Sequence, residues 1–333
     1  MNNGDYTNKE CIKSSKLKKN TEYETKIDEI KEKKAKKVDK VVKRENKNIL
    51  LICGEGFGNI VWVTPCVITL NKYGYKVDIL CESYWPDAQL VFKNCEIVNK
   101  VFTDSSEIYF SKYEHVIQTR WGKKHPKQTI RYDKLDLSKF HEIDENFTII
   151  KKLGINENPP MPFFSNLKWD GFSKEKNRVV IADPKVRQQI WDRRKYPHVF
   201  NLAISLSQMK YKVSIIGSKE DCKSWTKYPK GIKIIEESDI YKAADAMRKN
   251  DLYIGQDCGL TQIAAAMDMP TIALFGATRV SKNAPKGKRV KIYKSDLPCS
   301  PCQLKREFGD CNNFRCMDFS IRLLVREVRN ILC

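Results

Sequence analysis

No uninterrupted apolar stretch in the sequence approaches the ~20 residues that a membrane-spanning helix needs. The amino terminus has no apolar segment of the kind found in secretory signals. A cytoplasmic protein, at most peripheral at the inner face of a membrane, is the simplest expectation. Histidine is scarce, with four in 333 residues, and no two are spaced as metal ligands are. No Asp-x-Asp pair occurs, so that way of gripping a divalent ion is excluded. Cysteine is not scarce. In a reducing compartment its 12 copies should be mostly thiols, and a close cluster is more suited to a metal than to disulfides.

What is abundant is positive charge: 61 Lys and Arg stand against 41 Asp and Glu, a formal net charge of +20. The resulting field favours anionic partners such as nucleotides, acidic glycans or an anionic membrane surface. No helix-turn-helix, RRM or KH pattern accompanies the charge, so nucleic acid is not an expected partner. Part of the excess lies in residues 1–47, where Lys and Glu alternate with too few apolar residues to form a core. This segment reads as a disordered or loosely helical tail, either a solubilising extension or a tether to anionic lipid or RNA.

From Asn48 onward, short β-rich runs alternate with helical ones, the pattern of βαβ units around a parallel sheet. The first set spans 48–165. It has strands in "NILLIC", "YKVDILC", "VNKVF" and "YEHVIQT", a helix over 60–73, a polar helix near 86–94, a basic loop "RWGKKHPKQTIRYDK" and a closing helix in "HEIDENFTIIKKLGI". Pro159 and Pro160 mark a linker. A second set spans 166–319, with a Cys-rich loop at 298–317, and a Ser-capped amphipathic helix follows at 320–333. Two such open sheets leave a cleft at the carboxyl ends of their strands, where α/β folds bind ligands.

Two glycine turns stand at strand-to-helix junctions. In "GEGFGN", Gly54–Asn59, the glycines fail the dinucleotide fingerprint, whose third Gly would fall at Asn59. In "GQDCGL", Asp257–Gly259 either direct the free N–H groups of the next helix at a phosphate or form an ordinary turn with Asp257 as N-cap. Cys299, Cys302, Cys311 and Cys316 offer four soft ligands at spacings that suit a structural Zn²⁺ or iron, although inherited packing or disulfides fit the pattern nearly as well. Cys53, Cys66 and Cys81 read as small core residues. His141 reads either as an acceptor-site residue or, more simply, as a surface residue at a helix start, and Trp121 with its basic loop either stacks on a sugar or lies in a solvated loop.

The string "GQDCGLTQIAAAMDMPTIALFGATR" with "LPCSPCQLKREFGDCNNFRCM", together with "GFGNIVWVTPCVITL", "WDRRKYPHVFNLAISL" and "VSIIGSKED", closely resembles glycosyltransferase family 9, the heptosyltransferase-like group of the GT-B superfamily. The resemblance is collinear from about Asn48 to Asn330. It implies an α/β fold of two Rossmann-like domains facing a cleft. It also implies inverting transfer of a sugar, heptose in the type members, from a nucleoside diphosphate to a glycan, lipid-linked or protein acceptor, with no cofactor for catalysis.

The resemblance further implies donor contacts from Gly56, Gly58, Arg194, Lys195, Glu220, Asp257, Cys258, Gly259, Leu260 and Gln262. At three of these the residue departs from the family: Arg194 stands at the Lys of its Lys-x-Trp-Pro, Cys258 replaces Ser or Thr, and Gln262 replaces the frequent His. The expected catalytic Asp falls at Asn59, and an amide cannot take up a proton at neutral pH. Three accounts follow. Glu55 is the substitute base; Asn59 only orients the acceptor; or the chain binds a sugar nucleotide or glycan without transferring it.

Overall fold

The structure is a computed structural model describing residues 47–85, 87–183, 189–222, 229–303, 305, 311 and 313–333. The basic tail, Pro86 and part of the Cys-rich loop lie outside the described residues.

Alternation of apolar and glycine-terminated runs builds two parallel sheets. The first contains β1 (Asn48–Gly54), β2 (Lys76–Glu82), β3 (Lys100–Phe102), β4 (His115–Gln118) and β5 (Ile130–Arg131), ordered β3-β2-β1-β4-β5. The second contains β6 (Arg178–Ala182), β7 (Lys212–Gly217), β8 (Lys233–Glu236), β9 (Leu252–Gln256), β10 (Thr271–Phe275) and β11 (Val290–Lys294), ordered β11-β10-β9-β6-β7-β8. Every pairing is parallel, with Cys53 opposite Cys81 at the carboxyl end of β1 and β2. Each sheet reverses its winding once, between β1 and β4 and between β6 and β9. These switch points open the crevices in which doubly wound folds hold ligands.

The helices are α1 (Phe57–Val61), α2 (Thr64–Lys72), α3 (Glu142–Lys152), α4 (Val199–Gln208), α5 (Lys219–Cys222), α6 (Ile240–Met247), α7 (Gly259–Ala266), α8 (Val280–Asn283) and α9 (Ile321–Leu332). Both faces of the second sheet are covered. Leu324, Val328 and Leu332 of α9 pack with Leu202 and Leu206 of α4 on one face, while Val180, Ile216 and Tyr253 face Ala243, Ala264 and Met267 on the other. The latter cluster continues into the first lobe through Ile60, Val63, Cys66 and Phe147, so the two lobes share a buried seam. Among the described residues no helix is long and apolar enough to cross a membrane.

Several local expectations change. The helix expected over 60–73 is two helices, α1 and α2, with Pro65 near the start of the second, where its missing N–H costs nothing. The polar helix near 86–94 is a single 3₁₀ turn at Ala88–Phe92. The basic loop contributes the short edge strand β5, and β11 was not foreseen at all. Ser320 occupies the N-cap position of α9, but its side chain makes no capping bond. Cys53, Cys66 and Cys81 are buried, and burial pushes the Cys66 thiol well up.

Candidate active site

At the first switch point the chain leaves β1 through Glu55, whose φ of 64° is left-handed, a region that a non-glycine residue enters at a cost of roughly 1 kcal/mol or more. The Ser83 hydroxyl donates to the Glu55 carbonyl and holds the turn. Gly56 is then the extended N-cap of α1, which carries Gly58 and Asn59. The Asn59 side-chain amide donates to Oε2 of Glu142 at 3.2 Å. An ionised carboxylate only accepts, so the NH₂ of Asn59 must face Glu142 and its Oδ1 must face away.

Glu142 is the first residue of α3 and is fully buried, at 0% exposure. Residues of this kind are rarely buried unless paired, and Glu142 accepts two hydrogen bonds at Oε2 and faces two cations at Oε1. Trp121 Nε1 donates to Oε2 at 2.9 Å, the Arg120 Nε lies 3.7 Å from Oε1, and Lys282 of α8 ion-pairs with Oε1 from the second lobe. Arg120 and Trp121 follow β4, on the other side of the switch point from the glycine loop. Arg120 also pairs with buried Glu145, and its guanidinium lies over the Trp121 ring at 5.0 Å. Trp121 remains 37% exposed.

His141 is buried, not superficial. Its Nδ1 accepts from Ile143 N at 3.0 Å while Asp144 accepts from the His141 N–H at 3.0 Å, a capping arrangement at the start of α3. Its Nε2 lies 2.9 Å from the Ala284 carbonyl of the second lobe. Burial, with Lys286 and Lys282 nearby, lowers its pKa to about 3, so the ring is neutral and its Nε2–H donates to that carbonyl.

At the second switch point β9 runs into Asp257, which is buried but is not the N-cap of α7. Cys258 holds that position and makes no side-chain capping bond, which leaves the first N–H groups of the helix without a side-chain acceptor. Asp257 instead accepts from Asn283 Nδ2 at 2.9 Å, with Arg194 Nη1 at 3.9 Å. Lys282 Nζ donates to Asn283 Oδ1 at 3.1 Å. A continuous polar path thus runs from Asn59 through Glu142, Lys282, Asn283 and Asp257 to Arg194, crossing from one lobe to the other.

The two glycine turns meet. A Cβ on Gly58 would stand 3.1 Å from Gln262 Cγ, and one on Gly259 would stand 3.1 Å from Phe57 Cβ. Buried Gln262 accepts from Trp62 Nε1 at 3.0 Å and donates to the Asn283 carbonyl at 2.9 Å, so it joins the lobes where the family's His is expected. Leu260 packs against the shared core.

The remaining candidates lie apart from this path. Lys195 pairs with Asp192 at 2.8 Å, and Glu220 is exposed on α5 beyond β7. Burial, then the thiols of Cys302, Cys311 and Cys299, push Cys316 up to about 11. Among the described residues, however, no three or more His, Cys, Asp or Glu side chains converge as a metal site would require. The four thiols are neighbours and not a formed ligand shell.

The model for glycosyltransferase family 9 (heptosyltransferase) matches residues 121–311, more than half of the chain. The chain belongs to glycosyltransferase family 9. Lipopolysaccharide heptosyltransferase 1 of Pseudomonas aeruginosa is 40% identical over 52 residues, 16% of this family 9 chain and only 15% of that relative's length. The ADP-heptose lipopolysaccharide heptosyltransferase II of E. coli superposes with a TM-score of 0.63 at 13% identity, covering 86% of this chain and 98% of that one. The dodecameric iron-containing heptosyltransferase TibC, solved with ADP-D-β-D-heptose, gives a TM-score of 0.61 at 13% identity over 87% and 77% of the two chains. At such identities the structural likeness establishes the fold: two Rossmann-like α/β domains, as in GT-B enzymes.

Within this family 9 frame, sequence reasoning located both turns but missed Glu142, Lys282 and Asn283. Glu142 stood in a quoted helix whose first turn holds three acids, which reads as ordinary dipole compensation. Only its burial among cations distinguishes it.

Proposed function

We propose that the protein is an inverting glycosyltransferase that moves a sugar from a nucleoside diphosphate, of the ADP-heptose type, to a hydroxyl of a glycan, lipid-linked sugar or protein. The observation that carries this reading is the meeting of the two turns: the uncapped start of α7, with Asp257 and Arg194, lies against the Gly56–Asn59 segment of the other lobe. A diphosphate at the start of α7 would receive backbone N–H groups and the positive end of the helix. It would compete with Asp257 and Glu142 for Arg194 and Lys282, which are already poised there. An acceptor on the first lobe would rest against Asn59 and the exposed ring of Trp121. Its hydroxyl attacks the anomeric carbon opposite the diphosphate, which leaves with the bonding pair. The excess of positive charge supports an anionic acceptor or contact with an anionic membrane surface.

Asn59 favours one rival, a sugar-nucleotide or glycan binder that has lost transfer. A panel of nucleoside diphosphate sugars, read by thermal shift and donor hydrolysis for wild type, Asn59→Asp and Asp257→Ala, separates the two. Stabilisation by one donor with turnover in wild type, both lost in Asp257→Ala, is the expected result. Binding without turnover, with activity only in Asn59→Asp, would establish the binder.

The neighbouring thiols of Cys299, Cys302, Cys311 and Cys316, together with the iron-containing relative, support a structural metal as part of the same proposal. Elemental analysis of purified protein should find close to one equivalent of iron or zinc, lost when Cys302 and Cys316 are replaced by serine. Metal-free protein of unchanged stability would remove this part.

A further inference from the structure

We infer that Glu142 is a positioning residue of the transfer reaction, fixing the Asn59 amide so that its Oδ1 meets the acceptor hydroxyl and supplying from behind it the negative charge that an aspartate at position 59 would carry. The inference rests on the transferase reading above.

The geometry is specific. Glu142 draws on three segments: Asn59 after β1 and Trp121 after β4 donate hydrogen bonds to Oε2, while Arg120 after β4 and Lys282 from the other lobe ion-pair with Oε1. Stability alone does not account for a buried carboxylate in such a place, since apolar replacements of buried ion pairs are often neutral or better. Asn59 itself is only partly buried, and its Oδ1 stands on the Gly56 side while its NH₂ is taken. The carboxylate absent from position 59 is thus present one hydrogen bond behind it, on a different element.

The amide then needs only to hold the hydroxyl. The attacking oxygen forms its bond to the anomeric carbon as the bond to the diphosphate oxygen breaks, with the electron pair leaving on the diphosphate. The oxygen becomes positively charged, and its proton, now strongly acidic, passes to a water molecule in the cleft. A fixed negative charge nearby stabilises that oxygen without itself becoming protonated. An incoming diphosphate that draws Lys282 away leaves the charge of Glu142 less compensated, which couples donor binding to the readiness of the acceptor side.

The groups that set the charge balance around the pair are Lys282, Arg120, Glu145 bonded to Arg120, and neutral His141. An aspartate at position 59 would stand at hydrogen-bonding distance from Glu142, where two carboxylates must share a proton. Three variants of the full chain test this with the donor that wild type turns over. Glu142→Gln should lower kcat about 10- to 100-fold without weakening donor binding, because Asp257 and Arg194 are untouched and Lys282 is freed for the diphosphate. Asn59→Asp should acquire a rate that rises with pH where wild type is flat. The double variant Asn59→Asp/Glu142→Gln, with one carboxylate again, should return to within about 5-fold of wild type and lose that pH dependence.

Wild-type kcat in Glu142→Gln, or a double variant no better than Glu142→Gln alone, would overturn the inference. Should Glu142→Gln fail to fold, the Asn59→Asp profile decides, and a flat one rejects the pairing. Absence of any transfer by wild type would withdraw the transferase reading and this inference together, whereas transfer that survives Glu142→Gln removes the inference alone.

Discussion

The two halves of the site solve one problem in different ways. In the second lobe the acid belongs to the turn itself: Asp257 follows β9, is anchored by Asn283 and faces Arg194. In the first lobe the turn carries an amide, and the acid comes from α3, 83 residues further along the chain. A function can be kept by a constellation while the residue at the expected position is lost. The comparison also shows why the second half is readable as a motif and the first is not.

Several measurements break or sharpen that contrast. The largest effect should fall on the self-contained half. Asp257→Ala removes the carboxylate that anchors Asn283 and keeps Arg194 beside the start of α7, and donor affinity by calorimetry should drop about 100-fold, equivalent to about 2.7 kcal/mol. An unchanged affinity would mean that the turn does not hold the donor and that the two halves differ in more than the origin of their acid.

Next is the contact between the halves. Gly58→Ala puts a methyl group 3.1 Å from Gln262 Cγ, and Gln262 cannot retreat without breaking its bonds to Trp62 and Asn283. Denaturant unfolding should show a loss of about 1–3 kcal/mol. Full stability in this variant would show that the lobes separate at no cost.

His141 tests the same seam by pH. Its folded pKa is lowered from 6.5 to about 3, because burial and nearby lysines disfavour the charged ring. The unfolded chain therefore binds the proton first. The stability is fully present above pH 6.5 and is lost as pH falls toward 3, at up to about 1.4 kcal/mol per pH unit. Urea midpoints at stepped pH should show this slope in wild type and a shallower one in His141→Gln.

The smallest effect is expected at Lys195, which pairs with Asp192 and not with Asp257. Lys195→Ala should change donor affinity less than about 2-fold, since a half-exposed pair contributes little. A loss as large as that of Arg194→Ala would mean that the donor recruits Lys195 from its present partner and that the second half is wider than the path described.

Most strands were legible because a buried parallel strand must be a short apolar run, and "NILLIC", "RVVIAD" and "PTIALFG" have no other good use. The exceptions were edge strands. β11, "VKIYK", and β5, "IR", lie at sheet margins where one side meets solvent, so charged residues are tolerated and the apolar signal fades. The helix expected over 60–73 hid a break, because residues 62–63 remain apolar through the turn between α1 and α2. His141 was misplaced for a related reason. A helix start is usually superficial, but this one meets the Ala284 carbonyl of the other lobe and the Trp62 ring.

The sequence by itself determined the two parallel α/β sheets, the glycine turns at their switch points and the family to which the chain belongs. These rest on local periodicity and spacing, which neighbouring residues encode together. The tertiary structure decided which acid serves position 59, which cation reaches it and which face of Asn59 is free. Those depend on side chains from α1, α3, α8 and the segment after β4 meeting around the buried carboxylate of Glu142, and burial of a charge is a property of the packed lobes that no stretch of the chain carries alone.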